Sequence, residues 1–447
     1  NFNMNFVTFF ILGTFGVIKS VSAIDEAQLP QDIPNIVNWV PADVTSGEME
    51  IAVTHGDNSN SASSLDDDPT PMPDLSMLDW DLEANLSLPF SWDRSKWVLS
   101  VSEDGMPMLV DRETVIRDYQ QARDFDPVSE TEFLFFSRAN DGGKPVKLNY
   151  DQIGKLPSYG FRKDLPTKIL IHGYFGGSDS EVVTPLAKEY IKKGEVNVIG
   201  VDWSKGARHL LYWISRNRIP MLADLVVKVI KKLLNFGQVS DQIGLIGHSL
   251  GAHVAGLIGK KIRPKVAYIV GLDPANPLFQ ISRPQDRLAE TDAKYVEVIH
   301  TNGGFLGLFG SIGTADFYPN GGIKQPGCGR IFYRKCSHLI AVTFFKESLM
   351  AKGYFAHRCP NLDNLNSKCS LGRVEFGEVH VHPLMSKPRG VYYFETNPKE
   401  PYLKTSPKFL QNRQGDGISG LPKSRTVSIM SQGSFEYSVQ SRMEVGV

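Results

Sequence analysis

The sequence predicts an α/β protein with a mostly parallel, doubly wound sheet, and three observations carry that prediction. Short unbroken apolar runs recur through the middle of the chain, as in strands covered on both faces. Stretches with helical periodicity separate them, which implies right-handed crossovers rather than hairpins. The pentapeptide Gly247-His248-Ser249-Leu250-Gly251 lies between one such run and a series of small apolar residues, where a sharp strand-to-helix turn would fit.

Taken in order, the chain becomes regular near Trp97, and Thr131 to Phe136 alternates enough to read as a strand. Lys168 to His172 and Asn197 to Val201 are candidate central strands. Glu181 to Lys193 between them reads as a helix, with Ser180 as its N-cap and Gly194 past its end. Pro220 to Phe236 predicts a second helix. Its Leu222, Leu225, Val226, Val229, Ile230, Leu233 and Leu234 form one apolar stripe against Lys228, Lys231 and Lys232, suited to core packing. Ile243 to Ile246 is the strand before Ser249, and Ala252 to Ile258 continues as a helix. Val266 to Val270 leads into Gly271-Leu272-Asp273-Pro274, and Lys294 to His300 is a further strand. Ligands of such sheets bind at the carboxyl ends of strands, where both Ser249 and Asp273 fall.

Composition divides the chain. No Lys or Arg occurs between Lys19 and Arg94, whereas Ile24 to Asp93 holds fifteen Asp and Glu; from Arg94 onward there are 47 basic and 34 acidic residues. Residues 1–23, with the apolar run Phe6 to Ile18 and the small residues Val21-Ser22-Ala23, read as a secretory signal. Residues 24–93 read as a flexible acidic low-complexity extension, 94–403 as the folded domain and 404–447 as a disordered tail. The expected localisation is therefore extracellular, with no transmembrane segment and no nucleic-acid partner. Asn85-Leu86-Ser87 is a glycosylation sequon. Cys328, Cys336, Cys359 and Cys369 allow three pairings, and short separations favour Cys328 with Cys336 and Cys359 with Cys369. No Cys or His spacing matches a zinc site, so neither a metal nor a cofactor is expected.

A serine hydroxyl becomes a nucleophile when a histidine takes its proton and a carboxylate orients that histidine. Asp273, ending a predicted strand before Pro274, meets the position of the acid in the order Ser, Asp, His found in α/β-hydrolases. Five histidines follow it, His300, His338, His357, His380 and His382, and spacing does not choose among them. His248, adjacent to the serine, reads as a packed, hydrogen-bonded core residue. An oxyanion hole needs the N–H after the nucleophile, that of Leu250, and a second from a loop such as His172-Gly173-Tyr174-Phe175-Gly176-Gly177.

The set Ile171-His172-Gly173-Tyr174, Val201-Asp202-Trp203, Gly247 to His253, Gly271 to Ala275, Val298 to Thr301, Asp316 to Gly322 and Cys336-Ser337-His338 closely resembles the animal pancreatic lipase family, insect members included. The resemblance covers about Phe133 to Tyr402, with seven motifs in the family's order. It implies an α/β-hydrolase fold with Ser249 as nucleophile, Asp273 as acid, His338 as base, and the amides of Tyr174 and Leu250 as the oxyanion hole.

Three departures from the family pattern refine the expectation. Only Gly329 to Lys335 lies between Cys328 and Cys336, where the family's triacylglycerol lipases carry a long lid and its phospholipases a short one; the loop Gly303 to Thr314 is also short. Ile331, Phe332 and Tyr333, beside Arg330, Arg334 and Lys335, are candidates for contact with an anionic lipid surface. Pro284 and Ala289 stand where family members with structural calcium have acidic residues, while Arg287 and Asp292 are retained, so no calcium dependence is expected. The family's C-terminal β-sandwich has no counterpart after Leu403, so no colipase-type partner is expected. The expected function is a secreted serine ester hydrolase acting on lipid at a membrane or micelle interface, with phospholipase A1 activity favoured over triacylglycerol hydrolysis. The alternative of another class is a non-catalytic, yolk-type storage protein.

Overall fold

The structure is a computed structural model that describes residues 93–404, except 103–106, 122–124, 141–143, 210, 330–332, 351–352, 366–368 and 378–387, together with 36–38. The expected signal segment, Asn85 and the C-terminal tail lie outside the described residues. Of the acidic stretch, Ile36–Asn38 (β1) is described as a strand antiparallel to Pro107–Asp111 (β3), which also pairs with Trp97–Val101 (β2). Helix α1, Arg112–Gln121, follows directly, its start held by Asp111 Oδ2 accepting from Thr114 N at 2.9 Å.

Among the described residues the main sheet has eleven strands: β4 (Glu132–Phe136), β5 (Val146–Leu148), β6 (Thr167–Ile171), β7 (Asn197–Asp202), β8 (Ile243–His248), β9 (Tyr268–Leu272), β10 (Val296–Ile299), β11 (Ala315–Pro319), β12 (Phe355–Cys359), β13 (Arg373–Glu375) and β14 (Gly390–Phe394). Across the sheet they run β13-β12-β14-β11-β10-β9-β8-β6-β7-β4-β5. From β14 to β7 every pairing is parallel, and antiparallel strands close both edges. Apolar side chains alternate between the faces. Ile169, Leu245 and Ile269 enter one core; Leu170, Ile246 and Val270 enter the other. The first is covered by α3 (Tyr212–Asn235) and α4 (Leu250–Lys261), the second by α2 (Thr184–Lys193) and α5 (Tyr333–Met350).

Two helices depart from the sequence expectation. Helix α2 begins three residues late, because the Ser180 hydroxyl accepts from Gly177 N at 2.9 Å and serves the preceding turn instead of capping; Pro185, which lacks an N–H, falls in the first turn. Gly194 ends this helix in extended geometry, with φ −175°. Helix α3 begins at Tyr212, with Pro220 inside it. An interior proline costs about 3 kcal/mol, but Tyr212, Trp213, Ile214 and Ile219 are all buried. Burying side chains of this kind stabilises by roughly 2 kcal/mol each, which outweighs the break. Strands β11 to β13 and the full length of α5 have no counterpart in the pattern reading.

The chain passes from β6 outward to β7 and then returns to the other side of β6 as β8, so the sheet reverses its winding between β6 and β8. Crevices open at such a reversal, outside the carboxyl ends of the strands. The register is also level there: Ile171 pairs with Gly247 and Gly247 with Gly271. Extending those pairings two residues puts Gly173, Ser249 and Asp273 in one row.

Candidate active site

Ser249 stands between β8 and α4 with φ 58° and ψ −122°, a backbone state that costs about 1–3 kcal/mol and persists only where its surroundings enforce it. Its N–H donates to Leu272 O at 3.1 Å, and the turn is so tight that a Cβ on Gly247 would lie 2.2 Å from Gly251 O. A Cβ on Gly251 would lie 2.2 Å from Ile171 O, so only glycine lets α4 start this close to β6. Gly251→Ala is therefore expected to destabilise by about 2 kcal/mol or more, seen as a lower urea midpoint at unchanged m-value.

Asp273 is fully buried. Its Oδ1 accepts from Thr301 N at 2.7 Å and Asn302 N at 3.0 Å, and its Oδ2 accepts from His338 Nδ1 at 2.6 Å. Gly307 lies so near the carboxylate that a Cβ there would be 2.3 Å from Oδ1. His338 sits in the second turn of α5, which Cys336 ties to Cys328, while the Ser337 hydroxyl accepts from Gln325 N at 3.1 Å. His248 Nε2 donates to His338 O at 3.0 Å. Burial, with His338 next to it, pushes His248 down to about 3, so it stays neutral at neutral pH and serves as a backbone anchor.

The loop after β6 is braced from behind. Trp203 N donates to His172 Nε2 at 3.1 Å, Trp203 Nε1 to His172 O at 2.9 Å, and His172 Nδ1 to Gly173 O at 2.9 Å. Phe175 turns back at φ 55° and donates its N–H to Ala207 O. The Tyr174 hydroxyl donates to His209 O at 2.8 Å, and a Cβ on Gly173 would lie 2.6 Å from that of Ser249. Leu250 is the first residue of α4, where N–H groups point out of the helix without intrahelical partners.

Ser249, His338, Gly173 and Tyr174 line one cleft of about 200 Å³. Tyr212, Ala275, Pro277 and Leu306 give it an apolar wall, and Glu181, Lys335, Leu339 and Val342 also border it. The arrangement brings a strained serine, a carboxylate-bound histidine and a helix N-terminus to one space.

A family model described as Lipase matches residues 99–402. The chain belongs to the lipase family. Among curated relatives of this lipase-family chain, lipase member H of Mus musculus is 37% identical over 238 residues, 52% of this chain and 51% of that protein. Phospholipase A1 of Vespula vulgaris is 37% identical over 197 residues, 41% of this chain and 58% of that one. Phospholipase A1 of Polybia paulista is 37% identical over 239 residues, 50% of this chain and 73% of that one. The chain spans about half the length of the lipase member H proteins it matches.

Other histidines among the described residues of this lipase-family chain lie elsewhere. His300 is buried, with Nδ1 2.7 Å from Leu308 O and Nε2 2.9 Å from Asp316 Oδ1; His253 donates from Nε2 to Ala275 O and accepts from Leu288 N. His357 is exposed on β12, and His380 and His382 lie outside the described residues. Both expected disulfides are present, Cys328–Cys336 and Cys359–Cys369. Of the segment considered for lipid contact, Arg330, Ile331 and Phe332 lie outside the described residues, while the Tyr333 ring meets that of Phe305 edge-on, with Arg334 over Phe305.

Lys260 Nζ lies 2.6 and 2.7 Å from the Asp292 oxygens, and Arg287 donates to the carbonyls of Gln280, Ile281 and Leu288. Among the described residues, no group of three or more His, Cys, Asp or Glu is placed to hold a metal ion, and no helix is long and apolar enough to cross a membrane.

Residues to which sequence reasoning gave no role are those around Asp273 and in the apolar wall: Thr301, Asn302, Gly307, Tyr212 and Leu306. The glycine at 307 and the helical stripe through Tyr212 carried no chemical signal by themselves.

Proposed function

We propose that this chain is a secreted serine ester hydrolase of lipids and, within that class, a phospholipase A1. The observation that carries the reading is the cleft in which Ser249, on its strained turn, meets His338, whose Nδ1 is held by the buried Asp273. His338 Nε2 takes the Ser249 proton as Oγ attacks the sn-1 carbonyl. The N–H groups of Tyr174 and Leu250 hold the oxyanion, a contribution of about 3 kcal/mol per donor in such sites. His338 then protonates the departing lysophospholipid alcohol and later activates water to release the fatty acid. Asp273, receiving two backbone N–H bonds besides that of His338, fixes the tautomer.

Two findings support the phospholipase reading: the short segment Gly329 to Lys335 between the bridged cysteines, and the wasp relatives named phospholipase A1. Phosphatidylcholine and a long-chain triglyceride compared at matched interfacial area test it. Faster release of fatty acid from the sn-1 position of phosphatidylcholine is expected; faster turnover of the triglyceride overturns the phospholipase assignment and leaves a neutral lipase.

A further inference from the structure

The cleft borders on a part of the chain that the main sheet does not supply. Ser102, directly after β2 of the three-stranded sheet, lines it together with Ser249 and His338. Among the described residues it is the one lining residue that comes from ahead of β4. Strand β2 is anchored close by: Val98 and Leu99 are buried, and Tyr212 N donates to Ser100 Oγ at 3.4 Å. Ser102 thus stands two residues on from the contact with the start of α3, half-buried and small.

Tyr212 marks what this side of the cleft is made for. Its ring meets that of Tyr174 edge-on at 5.1 Å, beside the proposed oxyanion hole, and its hydroxyl donates to Pro277 O at 3.2 Å. Leu306 is tied to the same wall, since its carbonyl accepts from Asn276 N at 2.8 Å. With Ala275 these side chains form an apolar arm that starts next to the reacting serine. On the opposite side, the turn before α2 and the first turns of α5 bring Ser180, Glu181 and Lys335 to the cleft. A fatty acyl chain gains free energy with each methylene it buries. It therefore lies along the apolar arm, and the leaving alcohol faces the polar side.

We propose that Ser102 sets the length of acyl chain this cleft accepts: its small side chain leaves the apolar arm open past Tyr212, so that a long chain lies across it. The proposal rests on the ester-hydrolase reading above and holds for phospholipid and glyceride alike. Because Ser102 sits on a separate small sheet, a change there alters the arm without touching Ser249, Asp273 or His338.

The test compares two monomeric esters, p-nitrophenyl butyrate and p-nitrophenyl decanoate, so that binding to a lipid surface plays no part. Ser102→Trp fills the passage beside Tyr212. The ratio of kcat/KM on the decanoate to that on the butyrate is expected to fall about tenfold, the burial lost by roughly two methylenes. The change should come mainly through KM of the decanoate. Ser102→Val, a smaller intrusion, is expected to shift the ratio in the same direction by less. Labelling of both variants by a short-chain fluorophosphonate at the wild-type rate checks that they are folded with a competent serine. An unchanged ratio in both variants, whether the two activities hold or fall together, overturns the assignment of Ser102. A wild type that cleaves neither ester overturns the hydrolase reading instead, an outcome separable from the first because it needs no variant.

Discussion

Alanine at Ser249 is expected to lower kcat on a phospholipid ester by roughly 10⁶-fold, the size of loss seen when a nucleophile is removed from such a site. The prediction is specific because Ser249→Ala deletes only the hydroxyl. Alanine has the same Cβ, so the strained backbone at φ 58° is retained and stability should change little. Glycine at the same position removes both the hydroxyl and the strain, so Ser249→Gly should be as inactive yet more stable by about 1 kcal/mol. A fluorophosphonate probe provides the companion measurement: wild type labels and both variants do not. Equal labelling of wild type and Ser249→Ala would place the reactive nucleophile elsewhere. Absence of labelling in the wild type would favour a non-catalytic, storage-type protein.

The second large effect is expected at Asp273, where asparagine should reduce kcat by about 10⁴-fold while the probe still finds a serine. The reason lies in which atoms face which. Oδ1 accepts two backbone N–H bonds, so the asparagine oxygen takes that place and its NH₂ group points at His338 Nδ1. That amide donates where the carboxylate accepted, so the ring carries its proton on Nε2, toward Ser249, and has no lone pair there to receive the serine proton. Steady-state kcat and the rate of probe labelling should fall together, with a near-native circular dichroism spectrum. A variant within tenfold of wild-type kcat would remove Asp273 from the mechanism.

The parallel core and the nucleophile turn were legible in the sequence because their signals are local. The unbroken runs at Lys168 to His172 and Ile243 to Ile246 each became a buried strand, β6 and β8. The glycines at 247 and 251 have a steric reason within the turn itself. The proposed base was not legible from pattern, since His338 comes from a helix 65 residues after Asp273, and that separation says nothing about which of five histidines returns to the strand ends. Family resemblance selected His338, whose Nδ1 lies 2.6 Å from Asp273 Oδ2. Local propensity misplaced the start of α3 because Pro220 reads as a beginning, whereas burial of Trp213 and Ile214 carries the helix through it. Thr301 and Asn302 act through backbone N–H groups, which every residue but proline possesses, so no side-chain signal marked them.

The position of β14 has a consequence for how the fold is completed. Among the described residues Gly390–Phe394 is the last strand in sequence, yet it lies inside the sheet between β11 and β12. Directly after it, Thr396 N donates to Asn320 Oδ1, and Asn320 Nδ2 donates to Gln325 Oε1. Gln325 in turn bonds Thr301 O and, through its N–H, the Ser337 hydroxyl beside His338. Translation supplies Ser249 and Asp273 early, but β14 and the bond from Thr396 to Asn320 arrive on the order of ten seconds later at ordinary elongation rates. A nascent chain that ends just ahead of β14 thus holds Ser249, Asp273 and His338 but lacks an inner strand of the sheet whose ends position them.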